Sequence, residues 1–201
     1  LTADALSALA RRGSGSASRS IPGGIVVWRA GDNPDGSDSF ATSIAAPKEW
    51  DLRVVVGITD PGPKAIGSTD AMELTRTTSP YYDQWVASAE QDLEEAILAV
   101  EKHDLPCLGE IAERSALAMH AAALAARPGI VFWKGATIEA LHLVRLLRAG
   151  GVEAYFTCDA GPQPKVLCAA DSEEKVVSAL EDLAGITGII RCRLGSGATL
   201  L

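Results

Sequence analysis

The sequence predicts an α+β fold in which an antiparallel or mixed β-sheet is covered on one face by helices. Apolar, β-branched runs bounded by glycine and proline occur in the first and last thirds of the chain. Between them lies a long block of helical periodicity. Apolar residues make up 47% of the 201 residues, which is enough to bury a sizeable core. These three observations favour helices layered over a sheet whose strands come from both ends of the chain.

The first third predicts a helix, a turn and a hairpin. Leucines and alanines at helical spacing indicate that the chain starts inside a helix, which Gly13 ends. GIVVWRAG is typical of a strand, DNPDGSD of a turn, and DSFATSIAA of the returning strand of a hairpin. DLRVVVGITD predicts a further strand that stops at a Pro-Gly-Pro sequence.

The remaining elements follow from caps, prolines and apolar spacing. Ser68 or Thr69 is expected to cap a helix, and Ser79-Pro80 to begin the next one. The predicted helices cover approximately residues 68–76, 79–100, 108–126, 136–148 and 173–183. The predicted strands of the last third are VEAYFTCD, PKVLCAA and GIIRCRL.

Charge and cysteine content exclude several classes of protein. The formal net charge of −8 argues against a broad basic face for nucleic acid. No stretch approaches the roughly 18 consecutive apolar residues of a membrane span, and the N-terminus lacks the pattern of a signal peptide. The four cysteines lack CxxC spacing, so we expect no zinc site and reduced thiols in the cytoplasm (Cys107, Cys158, Cys168 and Cys192).

The segment GSGSASRSIPGG is the first candidate site. If a helix starts near Ser14, then Ser16, Arg19 and Ser20 share one face. Hydroxyls, backbone amides at a helix start and a planar guanidinium together suit a phosphate or a carboxylate. The alternative is a Ser/Gly-rich turn that only links a helix to a strand.

Two further segments could carry chemistry. Asp159 follows an apolar strand and precedes Ala-Gly-Pro, which is typical either of a pocket carboxylate or of an Asp that binds its own turn. Lys165 is interpreted as a solvated cation at a strand end. In DPGPKAIGST, Lys64 and Ser68 precede or begin a helix and could contact a nucleotide phosphate, although a plain N-cap is the favoured interpretation.

The histidines and the acidic run predict no site. His103 is expected to be exposed, His142 to pack in an apolar helix face, and His120 to be a satisfied, semi-buried residue. Neither a catalytic triad nor a metal motif fits their spacing. The acids at positions 90, 92, 94 and 95 are interpreted as a solvated helix face.

Together, these segments closely resemble mevalonate diphosphate decarboxylases, which are members of the GHMP kinase superfamily. The segments that carry the resemblance, in family order, are LARRGSGSASRSIPGGIVVW, KAIGSTDAMELTRTTSPYY, SALAMHAAAL, YFTCDAGPQPKVL and GIIRCRLGSGATLL. The resemblance covers essentially the whole chain. It implies a GHMP-kinase-like fold with a ferredoxin-like C-terminal part. Residues 1–60 would be the remainder of the N-terminal domain, and residues 61–201 the C-terminal domain.

The resemblance implies a reaction and a role for particular residues. The family converts mevalonate 5-diphosphate, with ATP and Mg²⁺, into isopentenyl diphosphate, ADP, phosphate and carbon dioxide. Ser14 and Ser16 resemble the ligands of the substrate's diphosphate, and Arg19 resembles the arginine that holds its carboxylate. Asp159 resembles the catalytic aspartate at the C3 hydroxyl.

The implied cofactors and partners are ATP, Mg²⁺ and the small-molecule substrate, without nucleic acid or membrane. Lys64 and Ser68 match a loop near the ATP phosphates in bacterial members. The family is commonly dimeric, so a homodimer is one expectation, although the sequence itself leaves the oligomeric state open.

Several departures from the family pattern leave alternatives open. The family's N-terminal portion, with its glycine-serine ATP loop, has no counterpart here, so we expect a fragment of about 60% of a bacterial-type enzyme that is inactive by itself. Gln163 and Ala116 stand where the family usually has Asn. The alternatives are a non-catalytic substrate-binding module and a paralogous mevalonate-phosphate decarboxylase or mevalonate 3-kinase.

Overall fold

The structure, a computed structural model, describes residues 2–62 and 66–199. Its contacts divide the chain into two compact units. The first consists of Leu1–Asp51, Val100–His103 and Arg193–Leu201, and the second of Leu52–Ala99 and Asp104–Cys192. None of the helices in the described ranges combines the length and the apolar character needed to cross a bilayer.

The first unit contains two helices and a hairpin. Its elements are α1 (Ala3–Arg11), α2 (Gly15–Arg19), β1 (Ile25–Trp28) and β2 (Ala41–Ala45). The predicted hairpin is confirmed, because β1 and β2 pair in antiparallel orientation with Trp28 opposite Ala41. Helix α1 begins within the described residues, where the Thr2 hydroxyl accepts a hydrogen bond from the Ala5 amide at 3.2 Å.

The second unit holds most of the remaining elements, although α4 and β6 end in segments assigned to the first. The helices are α3 (Ser68–Thr78), α4 (Tyr82–Glu101), α5 (Leu105–Leu124), α6 (Gly135–Ala149) and α7 (Glu173–Glu181). The strands are β3 (Arg53–Ile58), β4 (Ala154–Cys158), β5 (Pro164–Cys168) and β6 (Gly188–Arg193). A short 3-10 helix, Ala170–Ser172, precedes α7. The predicted elements are therefore all present, with boundaries that differ by a few residues.

The four strands of the second unit form one sheet in the order β4-β5-β3-β6. Val55, Phe156 and Val166 lie in register across it, are almost fully buried, and pack against apolar side chains of α6 and α7. This confirms the predicted helical layer. As predicted, the strands of this sheet come from both sides of the central helical block, since β3 precedes it and β4 to β6 follow it, whereas the hairpin β1–β2 forms a separate two-stranded sheet.

Helix α5 covers the free edge of β4, which is one of the two outermost strands of this sheet. The buried carboxylate of Glu113 accepts hydrogen bonds from the amide of Phe156 at 3.1 Å and from Arg148 Nη1 at 2.7 Å. The same Nη1 donates to the carbonyl of Ala154 at 2.7 Å. Side chains of α5 and α6 therefore satisfy backbone groups that an edge strand would otherwise leave unpaired.

Two interpretations of surface residues were wrong. His142 is exposed, because the buried stripe of α6 runs through Leu141 and Val144 and leaves position 142 outside it. Asp92 is 8% exposed rather than solvated, and it accepts hydrogen bonds from Nε and Nη2 of Arg114 at 2.9 and 2.7 Å. That arginine lies on α5, 22 residues away, and spacing within one helix could not reveal it.

Candidate functional site

The predicted site residues fall in both units. Ser14, Ser16 and Arg19 belong to the first unit, whereas Asp159 and Ser68 belong to the second. Each group is therefore described within its own unit.

The serine segment forms a short helix, as predicted. Ser14 occupies the N-cap position of α2, and its hydroxyl lies 3.0 Å from that of Ser16. Both serines are exposed, as is Arg19 at the end of the helix. Within the described ranges, the Arg19 guanidinium makes neither an ion pair nor a hydrogen bond. Two adjacent hydroxyls and an available guanidinium are donors suited to an anion.

Buried contacts hold α2 in place. The hydroxyl of Ser7, which is fully buried, donates to the carbonyl of Ser18 and accepts from the amide of Ala41, both at 2.9 Å. This one side chain therefore ties α2 to α1 and to β2. A Cβ at Gly15 would lie 2.9 Å from the ring of Trp28, so the close approach of indole and backbone requires glycine.

Helix α2 has only five residues. An extended helix dipole therefore contributes little, and the donors for an anion are the two hydroxyls, the first amides and the guanidinium.

Asp159 lies directly after β4, at the mouth of a cavity of about 220 Å³. Its carboxylate forms an ion pair with Lys165 on β5, with Oδ2 and Nζ 2.8 Å apart. The Asp159 side chain is 81% exposed, whereas that of Lys165 is 28% exposed. The interpretation of Lys165 as a solvated strand-end cation was therefore wrong, because the antiparallel pairing of β4 with β5 brings it to the carboxylate.

Three loops that surround this cavity are tied together by hydrogen bonds. Gln163 Oε1 accepts from the amide of Thr59 at 2.6 Å, and Gln163 Nε2 donates to the carbonyl of Asp60 at 2.6 Å. The buried hydroxyl of Thr137, at the start of α6, donates to the carbonyl of Pro162 at 2.6 Å. The Gln at the family's usual Asn position thus links the end of β3 to the loop after Asp159.

A second ion pair lines the same cavity. Nζ of Lys134 lies 3.4 Å from Oδ2 of Asp60. A hydrogen bond from the amide of Gly62, followed by the contact with Lys134, lowers the pKa of Asp60 below its ordinary value. The cavity wall therefore presents two carboxylates and two ammonium groups, an arrangement that can bind a phosphate and its counter-cation.

An apolar part of the cavity wall includes Phe132, and the buried ring of His120 packs against this phenylalanine from behind. The indole N–H of Trp133 donates to His120 Nε2 at 3.1 Å, and burial lowers the pKa of this histidine to about 4. Burial also raises the pKa of the Cys158 thiol, next to Asp159, to about 11. This thiol is therefore not a nucleophile at neutral pH. All four cysteines are free thiols in the structure.

The predicted nucleotide contacts are described only in part. Lys64 lies outside the described residues. Ser68 is the first residue of α3, whose N-cap position is Gly67 rather than Ser68 or Thr69. Within the described residues there is no group of three or more His, Cys, Asp and Glu side chains that could hold a metal ion.

Sequence reasoning missed Asp60, Lys134 and Thr137, which line or brace the cavity. An Asp-Pro-Gly turn, which marks Asp60, is commonplace, and a Lys and a Thr at a helix start suggest only a cap. The sequence contains no signal that these segments meet, because Asp60 lies far along the chain from Lys134 and Thr137 and meets them only through tertiary contacts.

Comparisons with known protein families match the N-terminal and the C-terminal part of the chain to two different domain models. The model of the mevalonate 5-diphosphate decarboxylase C-terminal domain matches residues 54–194. The model of the diphosphomevalonate decarboxylase-like N-terminal domain matches residues 1–41. Among curated proteins, a diphosphomevalonate decarboxylase of Aspergillus fumigatus is 33% identical over 184 residues, which cover 90% of this chain and 46% of that protein.

Solved structures show the same likeness. The mevalonate diphosphate decarboxylase from Staphylococcus aureus superposes with a TM-score of 0.90 at 34% identity, over 98% of this chain and 60% of that one. A protein described as MDDEF, in complex with MVAPP, AMPPCP and magnesium, matches with a TM-score of 0.89 at 38% identity, over 98% of this chain and 60% of that one. The predicted fold class is thereby confirmed. The chain spans about half the length of the curated relative and three-fifths of these solved chains.

Proposed function

The chain belongs to the mevalonate 5-diphosphate decarboxylase family, and on this premise we propose that its protein decarboxylates mevalonate 5-diphosphate in an ATP-dependent reaction. The products are isopentenyl diphosphate, ADP, phosphate and carbon dioxide. The observation that carries the proposal is the Asp159 carboxylate, held beside Lys165 at the mouth of a cavity and directly after the buried strand β4.

In this reaction Ser14 and Ser16 bind the diphosphate of the substrate, and Arg19 binds its carboxylate. The 3.0 Å separation of the two hydroxyls supports this assignment, since both can donate to one phosphoryl group. A guanidinium offers a planar pair of N–H donors that matches a carboxylate. Arg19 is exposed, so its charge is available to the substrate.

Asp159 acts on the C3 hydroxyl of the substrate. Its carboxylate accepts the hydroxyl proton as the oxygen attacks the γ-phosphoryl group of ATP, and ADP leaves. The 3-phosphate then departs with its bonding electrons, and positive character develops at C3. Asp159, whose side chain is exposed, releases the accepted proton to solvent, and its restored negative charge stabilises that centre. Loss of carbon dioxide places the electrons of the broken C–C bond in the new double bond.

ATP is the second substrate, and Lys64 and Ser68 are proposed to lie near its phosphates. Mg²⁺, when bound, neutralises phosphate charge during transfer. The described residues supply no metal cage, so the ion would arrive with the nucleotide. The mixed charges of Asp60, Lys134 and Lys165 fit a phosphate that carries a cation.

We also propose the remaining features that the resemblance implies. These are a cytoplasmic location, which four free cysteines support, and a homodimer. The proposed boundary between an N-terminal part, residues 1–60, and a C-terminal part, residues 61–201, is approximate. The division of contacts after Asp51 supports a somewhat earlier position. The 201 residues by themselves are expected not to turn over ATP.

The test is ATP-dependent release of carbon dioxide by the complete protein. The 5-diphosphate and the 5-monophosphate of mevalonate are compared as substrates, which separates the proposed enzyme from a paralogue. Asp159→Asn and Arg19→Ala should each reduce kcat/KM by about a hundredfold or more, because each removes a charge used in the transition state. Arg12→Ala, at an exposed arginine of the same unit, is the matched control. Near-normal turnover by either site variant would refute the assigned roles.

A further inference from the structure

The proposed reaction makes no use of His120, the one histidine that is fully enclosed among the three. Its side chain is 2% exposed and lies between two aromatic rings. The ring of Trp133 is 4.4 Å away, and that of Phe132 meets it edge-on at 5.7 Å. Phe132 also lines the cavity that contains Asp159, so His120 lies directly behind the cavity wall.

The hydrogen bond from Trp133 determines the tautomer of this imidazole. An indole N–H can only donate, and therefore Nε2 of His120 accepts at 3.1 Å. The ring proton of the neutral form must then lie on Nδ1. Three neighbouring groups raise the pKa of His120: the backbone of Asp159, the backbone of Cys158 and the Asp159 carboxylate. Burial outweighs them and lowers the pKa to about 4, so His120 is a neutral donor at physiological pH.

The geometry of α5 explains why His120 reaches the end of β4. Glu113 and His120 are seven residues apart, which is two helical turns or about 10.5 Å along the axis. Glu113 binds the Phe156 amide, and three strand residues from there to Asp159 span about 10 Å. A helix that lies along the β4 edge therefore places Glu113 at the middle of the strand and His120 at its exit.

Backbone groups at alternate positions of an edge strand point outwards. At β4 these positions are 154, 156 and 158. Arg148 donates a hydrogen bond to the carbonyl of Ala154, and Glu113 accepts one from the amide of Phe156. His120 is the third side chain of the series, adjacent to the backbone of Cys158 and Asp159.

We propose that His120, oriented by Trp133, is a positioning residue for Asp159. The neutral imidazole supports the backbone where β4 ends and thereby sets the direction in which the carboxylate enters the cavity. It carries no proton in the reaction. The inference rests on the proposed function only in assigning a catalytic use to Asp159. The same strand end would be held in a protein without that activity.

The first experiment measures the position of the strand end, independently of activity. Long-range ¹H–¹⁵N spectra of the 201-residue chain should show His120 as the Nδ1–H tautomer from pH 8 to pH 5. Trp133→Phe removes the indole donor but keeps an aromatic ring, and it should shift the amide resonances of residues 158–160. His142→Asn, at the exposed histidine of α6, should leave those resonances unchanged. An Nε2–H tautomer, or unshifted amides in Trp133→Phe, would overturn the proposal.

The second experiment uses the complete protein and its carbon dioxide release. His120→Leu should lower kcat about tenfold or more with KM for the substrate within about twofold, because a displacement of about 1 Å at the reacting group is costly. His120→Asn keeps a donor near the Nδ1 position and should recover most of that loss, with the shape of the pH profile unchanged. An unaltered kcat in His120→Leu, or loss of a pH limb in His120→Asn, contradicts the positioning role.

The two experiments separate failure of the inference from failure of the proposed function. A complete wild-type protein that releases no carbon dioxide refutes the proposed reaction, while the spectra still decide whether His120 and Trp133 hold the strand end. If His120→Leu does not fold, Trp133→Phe gives the same kinetic test with a smaller change, and a kcat equal to that of wild type would overturn the proposal.

Discussion

Replacing His120 should reduce the loss of free energy of unfolding that the protein undergoes when the pH is lowered. Its pKa falls from an ordinary value of 6.5 to about 4 in the folded chain, because burial disfavours the charged ring. The folded state therefore binds fewer protons than the unfolded state between these values. The contribution to stability is fully present above pH 6.5 and is lost as the pH falls towards 4.

The size of the effect follows from linkage. A shift of about 2.5 pKa units corresponds to about 3 kcal/mol in the limit of low pH, of which about 2 kcal/mol is lost between pH 7.5 and pH 5. Urea unfolding, followed by circular dichroism at both pH values, measures the free energy of unfolding. His120→Asn should be less stable than wild type at pH 7.5, yet lose about 2 kcal/mol less on acidification.

The matched control is His142→Asn, which removes an exposed histidine from α6. It should lose as much stability as wild type between the two pH values. The other titratable groups are common to wild type and His120→Asn, so their contributions cancel in the comparison. Equal losses in wild type and His120→Asn would refute the reasoning, because the imidazole would then titrate normally in the folded chain.

Two further predictions concern the edge of β4. Glu113→Ala should lower the free energy of unfolding by about 3 kcal/mol in urea titrations, since it leaves the half-buried guanidinium of Arg148 and the buried amide of Phe156 without their acceptor. Glu73→Ala, which removes an exposed ion pair, should have no measurable effect, and a similar loss in both variants would count against the burial argument. Gly109→Ala places a Cβ in steric conflict with the ring of Tyr155 and should lower Tm by several degrees, whereas Gly135→Ala, with open space around its Cβ, should not. A Gly109→Ala protein with unchanged Tm would show that helix and strand are further apart than described.

Most secondary structure could be predicted from the sequence because the apolar periodicity is regular. The runs around Val55 and Phe156 are short, apolar and rich in β-branched or aromatic residues, and glycine and proline mark most element ends. The candidate residues Ser14, Ser16, Arg19 and Asp159 could also be singled out, since their short-range patterns are unusual. Their roles in the reaction remain predictions that the proposed assays test.

The errors have a common cause. Lys165, Asp92 and His142 were interpreted from their own segments, but their burial and partners depend on other elements. Pairing of β5 with β4 brings Lys165 to the carboxylate of Asp159. Asp92 pairs with Arg114, which lies on another helix 22 positions along the chain. Local spacing contains no information about such neighbours.

The sequence by itself determined the order of helices and strands and the family resemblance, because both depend on residue types at short spacing. Only the tertiary structure decided which polar groups meet. Pairing of β4 with β5 brought Lys165 to Asp159. Because α5 runs along the edge of β4, His120 lies next to the backbone at the end of that strand. Burial then determined that this imidazole stays neutral, since the energetic cost of a charge depends on the solvent and dipoles that surround it in the folded chain.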